Sequence, residues 1–224
     1  MPDQFRRVSR SLCLILTILV SGGCAGSGAG PVARPEPIPP PVTTDAASIE
    51  RARVDSARIP WTEADVRFFT MMIAHHAQAI VMSEMAPSHG ASESVRTLAA
   101  RIINAQRDEI AVMQLWLQDR QQPVPDPARP NEHAAHGMPG MLSAAQLAAL
   151  DAARGAAFDR LFLRSMITHH EGAVTMVKEL FATDGAGQNP TVFKLASDIN
   201  VDQRTEIARM QRMLAPLLFA ESAP

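Results

Sequence analysis

The chain contains itself twice. The segment M-I-A-H-H-A-Q-A-I-V-M, Met72 to Met82, returns as M-I-T-H-H-E-G-A-V-T-M, Met166 to Met176, at a shift of 94 positions. A second block, L-A-A-R-I-I-N-A-Q-R-D-E-I-A-V-M-Q, Leu98 to Gln114, returns as L-A-S-D-I-N-V-D-Q-R-T-E-I-A-R-M-Q, Leu195 to Gln211, at a shift of 97. Two blocks recurring in the same order mark an internal duplication. Each copy must adopt the same fold, and the copies must bury their apolar faces on one another.

Both blocks have helical period. Met72, His75, His76, Ala79, Met82 and Ser83 share one face of the first helix, which Pro87, Ser88 and Gly90 terminate. Leu98, Ile102, Gln106, Glu109, Ile110, Met113 and Leu117 form the stripe of the second, from about Ser92 to Gln121, ended by a run of prolines. A third helix is expected from an N-cap at Ser143 to about Phe181, with Gly155 as a bend or interruption. Asp184 to Pro190 reads as a loop, and a fourth helix from about Thr191 to Leu217. No segment shows strand alternation. The expected fold is all-α, a four-helix bundle built from two duplicated helical hairpins about a pseudo-two-fold axis.

The flanks read differently. Arg6, Arg7 and Arg10 precede an apolar run, Leu12 to Val20, too short for a comfortable membrane span, and then V-S-G-G-C. This resembles a bacterial lipobox with Cys24 as the acylated residue, although Ser21 stands where Leu is usual. A plain secretory signal is the alternative, and both export the chain. A Pro/Gly/Ala-rich stretch follows, including P-E-P-I-P-P-P-V, as expected of a solvated tether. The expected organisation is a signal peptide over 1–23, a flexible tether over 24–58 and the duplicated bundle over 59–219, in the cell envelope, periplasm-facing or extracellular, on a lipid anchor.

Composition narrows the chemistry. Net charge is -2 with no basic run, which argues against nucleic acid as a partner. The two cysteines, Cys13 and Cys24, both lie in the N-terminal segment, so the bundle has no thiol. A metal site in it must use His, Met, carboxylates or amides. The chain has 12 Met and no Tyr. Met fills cores and also offers a soft thioether.

Met72, His75, His76 and Met82 make one stripe of soft and borderline ligands, and Met166, His169, His170 and Met176 its copy. Packing alone is the ordinary explanation for a Met stripe. Four inward imidazoles are different, because each needs a partner once buried. Glu109 and Glu206, with Gln106 and Gln203 one turn before them, fall on the facing helices, either as ligands or as acceptors that fix the imidazole tautomers. The inter-hairpin stretch N-E-H-A-A-H-G-M-P-G-M adds His133, His136, Met138 and Met141. Two His and two Met without thiols suit Cu(I) or Ag(I), against the plainer reading of a Gly/Pro turn. His89 reads as a helix-end residue.

Taken together, F-F-T-M-M-I-A-H-H-A-Q-A-I-V-M, Q-R-D-E-I-A-V-M-Q-L-W-L, M-P-G-M-L-S and M-I-T-H-H-E-G-A-V-T-M resemble the bacterial "domain of unknown function 305" family over about Trp61 to Leu217. The resemblance implies a ferritin-like bundle, often exported, and a link to copper or silver handling. By position, its motif residues are His75, His76, His169, His170, Met72, Met82, Met166 and Met176. Ala74 and Thr168 stand where the family often has Pro.

The function expected is an envelope-anchored metal-binding protein, holding copper or silver for buffering, resistance or transfer, with Cu(I) favoured and iron or zinc as alternatives. One competing reading is a ferritin-like di-metal redox enzyme, which needs carboxylate-rich sites with Glu-x-x-His motifs that are missing at the matching positions. The other is a metal-free structural or interaction module. No nucleophile triad, phosphate loop or Cys-x-x-Cys points to other enzymology, and no protein partner is legible.

Overall fold

The computed structural model describes residues 45–58, 60–129 and 137–221. The export segment, Cys24 and the rest of the tether up to residue 44, and His133 and His136 lie outside the described residues. Those residues form α1 (Ala46–Arg58), α2 (Glu63–Glu84), α3 (Glu93–Asp119), α4 (Ala144–Ala152), α5 (Gly155–Ala182) and α6 (Pro190–Glu221), with no strand among them. The helix boundaries follow local chemistry. Thr62 and Asp65 form a capping box at the start of α2, as Ser143 and Gln146 do for α4, and the Ser92 hydroxyl caps α3. Each such cap is worth about 1 kcal/mol.

One expectation is corrected and another is met. Residues 46–58, assigned to the tether, are helical: the prolines end at Pro41, and the Asp45 carboxylate accepts from the Ser48 backbone N–H at the helix start. Arg53 then ties α1 to Asp119 of α3 at 2.5 Å. The third helix is interrupted at Gly155, one of the two outcomes expected there. Ala153 and Arg154 are extended, Gly155 takes a φ of +57°, and its N–H donates to the His89 carbonyl at 2.9 Å.

Helix α2 packs on α3, α5 on α6, and α2 on α5, so the two hairpins meet through their histidine-bearing helices. Two buried Asp residues, aligned in the duplication, lock the hairpin ends reciprocally. Asp65 of α2 accepts from Gly187 N–H in the α5–α6 loop at 2.7 Å. Asp159 of α5 accepts from Ser92 N–H at the α2–α3 junction at 3.2 Å.

The core divides into two apolar clusters. One gathers Phe69, Met72, Met113, Trp116, Met138, Met176 and Val177. The other gathers Met82, Leu98, Ile102, Phe158, Phe162, Met166 and Met210. Each of the two joins the early part of one histidine helix to the late part of the other, as an antiparallel α2/α5 pair demands. The buried residues that belong to neither cluster include His75, His76, Gln106, His169, His170 and Gln203, on the helix turns between them.

Candidate metal centre

The inward face of α2 carries His75 and His76 and that of α5 carries His169 and His170; none of the four has any exposed surface. Adjacent helical residues point about 100° apart. One ring of each pair therefore reaches the opposite hairpin, and the other reaches its own hairpin partner. His75 meets His169 across the dyad with ring centroids 3.8 Å apart and planes 39° apart. His76 turns to α3, where its Nε2 lies 2.7 Å from Glu109 Oε2. His170 turns to α6, where its Nε2 lies 2.7 Å from Glu206 Oε2. Within each pair the centroids are 6.4 Å and 6.3 Å apart. The sequence-derived His and Glu residues are thus brought together, and the Glu residues contact imidazole.

These contacts fix protons. A carboxylate only accepts, so His76 and His170 carry a hydrogen on Nε2. His75 donates its Nε2–H to the Pro139 carbonyl at 3.0 Å. Nδ1 of His75, His76 and His170 is buried and makes no hydrogen bond, and neither nitrogen of His169 does. Gln106 leaves both amide atoms, and Gln203 its Oε1, equally unpartnered. Buried polar atoms are nearly always paired, so a cluster of orphans needs a physical cause. Burial pushes His75 down to about 3, the neighbouring His76 pushes the same way, and the Pro139 carbonyl offsets only part of this. Burial likewise holds His169 well below the usual range, helped by His75. Both rings are neutral at pH 7 and present bare lone pairs.

Methionines sit in both apolar clusters that flank the histidine turns. Met72, Met113 and Met176 belong to one flanking cluster, Met82, Met166 and Met210 to the other, and each triplet is the dyad copy of its counterpart. Met113 and Met210 complete these triplets. Their signal was in the sequence, since they align in the duplication, but they stand on the partner helices, away from the His-His motif.

The inter-hairpin stretch behaves differently. Residues 138–142 form a strap laid across α2 and α5. Gln78 grips it from α2, donating to the Leu142 carbonyl at 3.0 Å and accepting from Leu142 N–H at 2.7 Å. On α5 the strap rests on Gly172, where a Cβ would lie 2.1 Å from the Pro139 oxygen. Met138 is buried in the first core cluster and Met141 packs against it. His89 is a helix-end residue, set between Ser88 Oγ and the Asp151 carbonyl and ring-packed on Phe158.

Among the described residues no group of three or more His, Cys, Asp or Glu side chains is disposed to cage a metal ion. A cation at this layer would draw on thioether or amide ligands beside imidazole. The donor set fits a soft cation: bare imidazole nitrogens oriented by carboxylates, with sulfur on both sides.

Fold and layer together define a class: a duplicated, all-helical bundle with histidine pairs buried at its internal dyad. The chain belongs to the DUF305 family, a domain of unknown function whose model matches residues 65–214. Its similarity to solved structures runs the same way. A DUF305 fragment from Deinococcus radiodurans is 36% identical, with a TM-score of 0.60, covering 70% of this chain and 99% of that one. A DUF305 protein from Streptomyces coelicolor, described as secreted, is 30% identical with a TM-score of 0.60, over 69% of this chain and 93% of that one. CopM in its Cu(II)-bound form is 37% identical with a TM-score of 0.57, over 68% and 96%. CopM is also known in Cu(I)-bound and Ag-bound forms. No curated protein matches the chain.

Proposed function

We propose that this protein is an envelope-anchored binder of a soft metal cation, Cu(I) or Ag(I), held by His and Met for buffering, resistance or transfer. The observation that carries the reading is the set of buried, unpartnered Nδ1 atoms on His75, His76, His169 and His170. Two of these rings are oriented by Glu109 and Glu206 through Nε2, the arrangement in which a carboxylate raises the basicity of a metal-ligating imidazole. Met72, Met82, Met166 and Met176 supply sulfur beside them, and Gln106 and Gln203 supply amides. The similarity to CopM supports copper and silver as the cargo. A di-metal redox site is less well served, because the two aligned carboxylates are engaged by imidazoles. Met138 and Met141, with His133 and His136 upstream, form a secondary candidate. The leader over 1–23 and acylation at Cys24 place the bundle on a membrane surface. Among the described residues no helix is long and apolar enough to cross a membrane.

The test is a titration of the purified mature protein with Cu(I), Ag(I), Cu(II), Zn(II) and Fe(II), beside a variant with the four paired histidines changed to Ala. Circular dichroism confirms that the variant is folded. Tight Cu(I) and Ag(I) binding that the variant loses is the expected result. Binding that survives in a folded variant, or no binding by the wild type, overturns the reading.

A further inference from the structure

We propose that the groove between α3 and α6 is the port through which the cation enters and leaves the histidine layer, with Asp198 and Asp202 as its outer capture site. This rests on the metal-binding reading above and names a route for it.

The buried layer has no exposed histidine surface, so a cation must pass a wall of the bundle. The α2/α5 side is covered by the strap, held by Gln78, His75 and the Gly172 contact. Between α3 and α6 runs a groove of about 370 Å³, lined by Ala105 and Glu109 of α3 and by Leu195, Asp198, Val201 and Asp202 of α6. Its polar walls are carboxylates. Asp202, although exposed, is held above the usual carboxylate range by partial desolvation in the groove and by the negative charges of Glu109, Glu206 and Asp198. Asp198 also pairs with Lys194 at 2.5 Å. Acidic clefts of this kind concentrate cations and raise their association rates.

A second observation points inward from the groove. Gln106 and Gln203 are 2% and 3% exposed, and Gln106 Nε2 and Oε1 and Gln203 Oε1 find no partner. They stand three residues before Glu109 and Glu206, about 60° round their helices, buried behind the residues that line the groove rather than among them. Glu109 itself joins the two zones, lining the groove and holding His76 Nε2. Read outward to inward, the donors run from exposed carboxylate through carboxylate–imidazole and amide oxygen to bare imidazole and thioether. That is a graded exchange of hard, hydrated ligands for soft, dry ones.

A port differs from a ligand kinetically. Because entry and exit use one path, neutralising it slows both directions and leaves equilibrium affinity in place. Ag(I) uptake by the full mature protein, and its release to a competing chromogenic chelator, are followed by stopped flow at low and high salt. In Asp202→Asn, and in Asp198→Asn/Asp202→Asn, association and release should both fall about tenfold at low salt, with Kd and stoichiometry unchanged. Glu179→Gln, an exposed charge-matched control on α5, should leave both rates as in the wild type. Unchanged rates in the Asp variants, an equal loss in Glu179→Gln, or a loss of affinity with association intact overturns the port. A wild type that takes up no Ag(I) overturns the metal-binding reading and the port together.

Discussion

Gly172 has no side chain where the Pro139 carbonyl needs the room: a Cβ would sit 2.1 Å from the Pro139 oxygen and 2.5 Å from its carbon. At the shift of 94 that superimposes the histidine pairs, Gly172 corresponds to Gln78. One half of the duplication grips the strap and the other makes space for it, so a single strap breaks the two-fold symmetry at one aligned position.

Gly172→Ala is therefore expected to destabilise the protein. In an ordinary helix interior the same change stabilises by about 1 kcal/mol. Here the obstacle is backbone, which cannot swing aside, and lifting the strap strains its bonds to Gln78 and His75. A loss of about 2 kcal/mol or more is expected in urea denaturation. A variant as stable as the wild type would mean that the strap is not seated on α5.

Gln78→Leu keeps the side-chain bulk and removes both hydrogen bonds to Leu142. The Leu142 N–H and C=O would then be buried without partners, at about 1–3 kcal/mol each. The expected result is a loss of about 3 kcal/mol together with faster hydrogen exchange at Leu142. Loss of stability without faster exchange there would place the defect elsewhere.

The metal-free protein should lose stability as pH falls from about 6.5 toward 3. His75 is depressed to about 3 and His169 well below its usual value, both chiefly by burial. The unfolded chain protonates these rings near their ordinary value while the folded chain resists. Acid therefore favours unfolding across that window, by about 1.4 kcal/mol per pH unit for each such ring. Asp202 acts in the opposite sense, since its raised carboxyl takes a proton first in the folded state. Denaturation midpoints at several pH values, compared with His75→Gln/His169→Gln, give the check. The variant should show the flatter profile.

Much of this was legible in the sequence, for a physical reason. The duplication forces equivalent helices, and the 3.6-residue period places Met72, His75, His76 and Met82 inward without knowledge of their partners. The break at Gly155 was half legible, because glycine permits a positive φ but only the carbonyl of His89 shows that one is used. Helix α1 was hidden behind the Pro-rich composition next to it. The strap's role was illegible, because Gln78 and Gly172 look like surface variation until the α2/α5 crossing is known. Met113 and Met210 were visible as aligned residues, yet their place beside the histidine layer follows only from the antiparallel packing of α2 and α5.

The dyad makes one further prediction, since it holds at the Glu residues and fails at the central histidines. Glu109 and Glu206 stand at the same 2.7 Å from His76 and His170. Glu109→Gln and Glu206→Gln should each weaken Cu(I) or Ag(I) binding about 10–100-fold, the usual cost of losing such a partner. The amide still fills the site, so stoichiometry should hold, and the two variants should match one another. His75 and His169 are not equivalent, because the Pro139 carbonyl occupies Nε2 of the first, while the second feels the His75 backbone instead. Their single Gln variants should therefore differ from each other in affinity. Matched Glu variants with unmatched His variants is the pattern the asymmetric strap demands. Equal effects at His75 and His169 would show that Pro139 does not influence the ring it contacts.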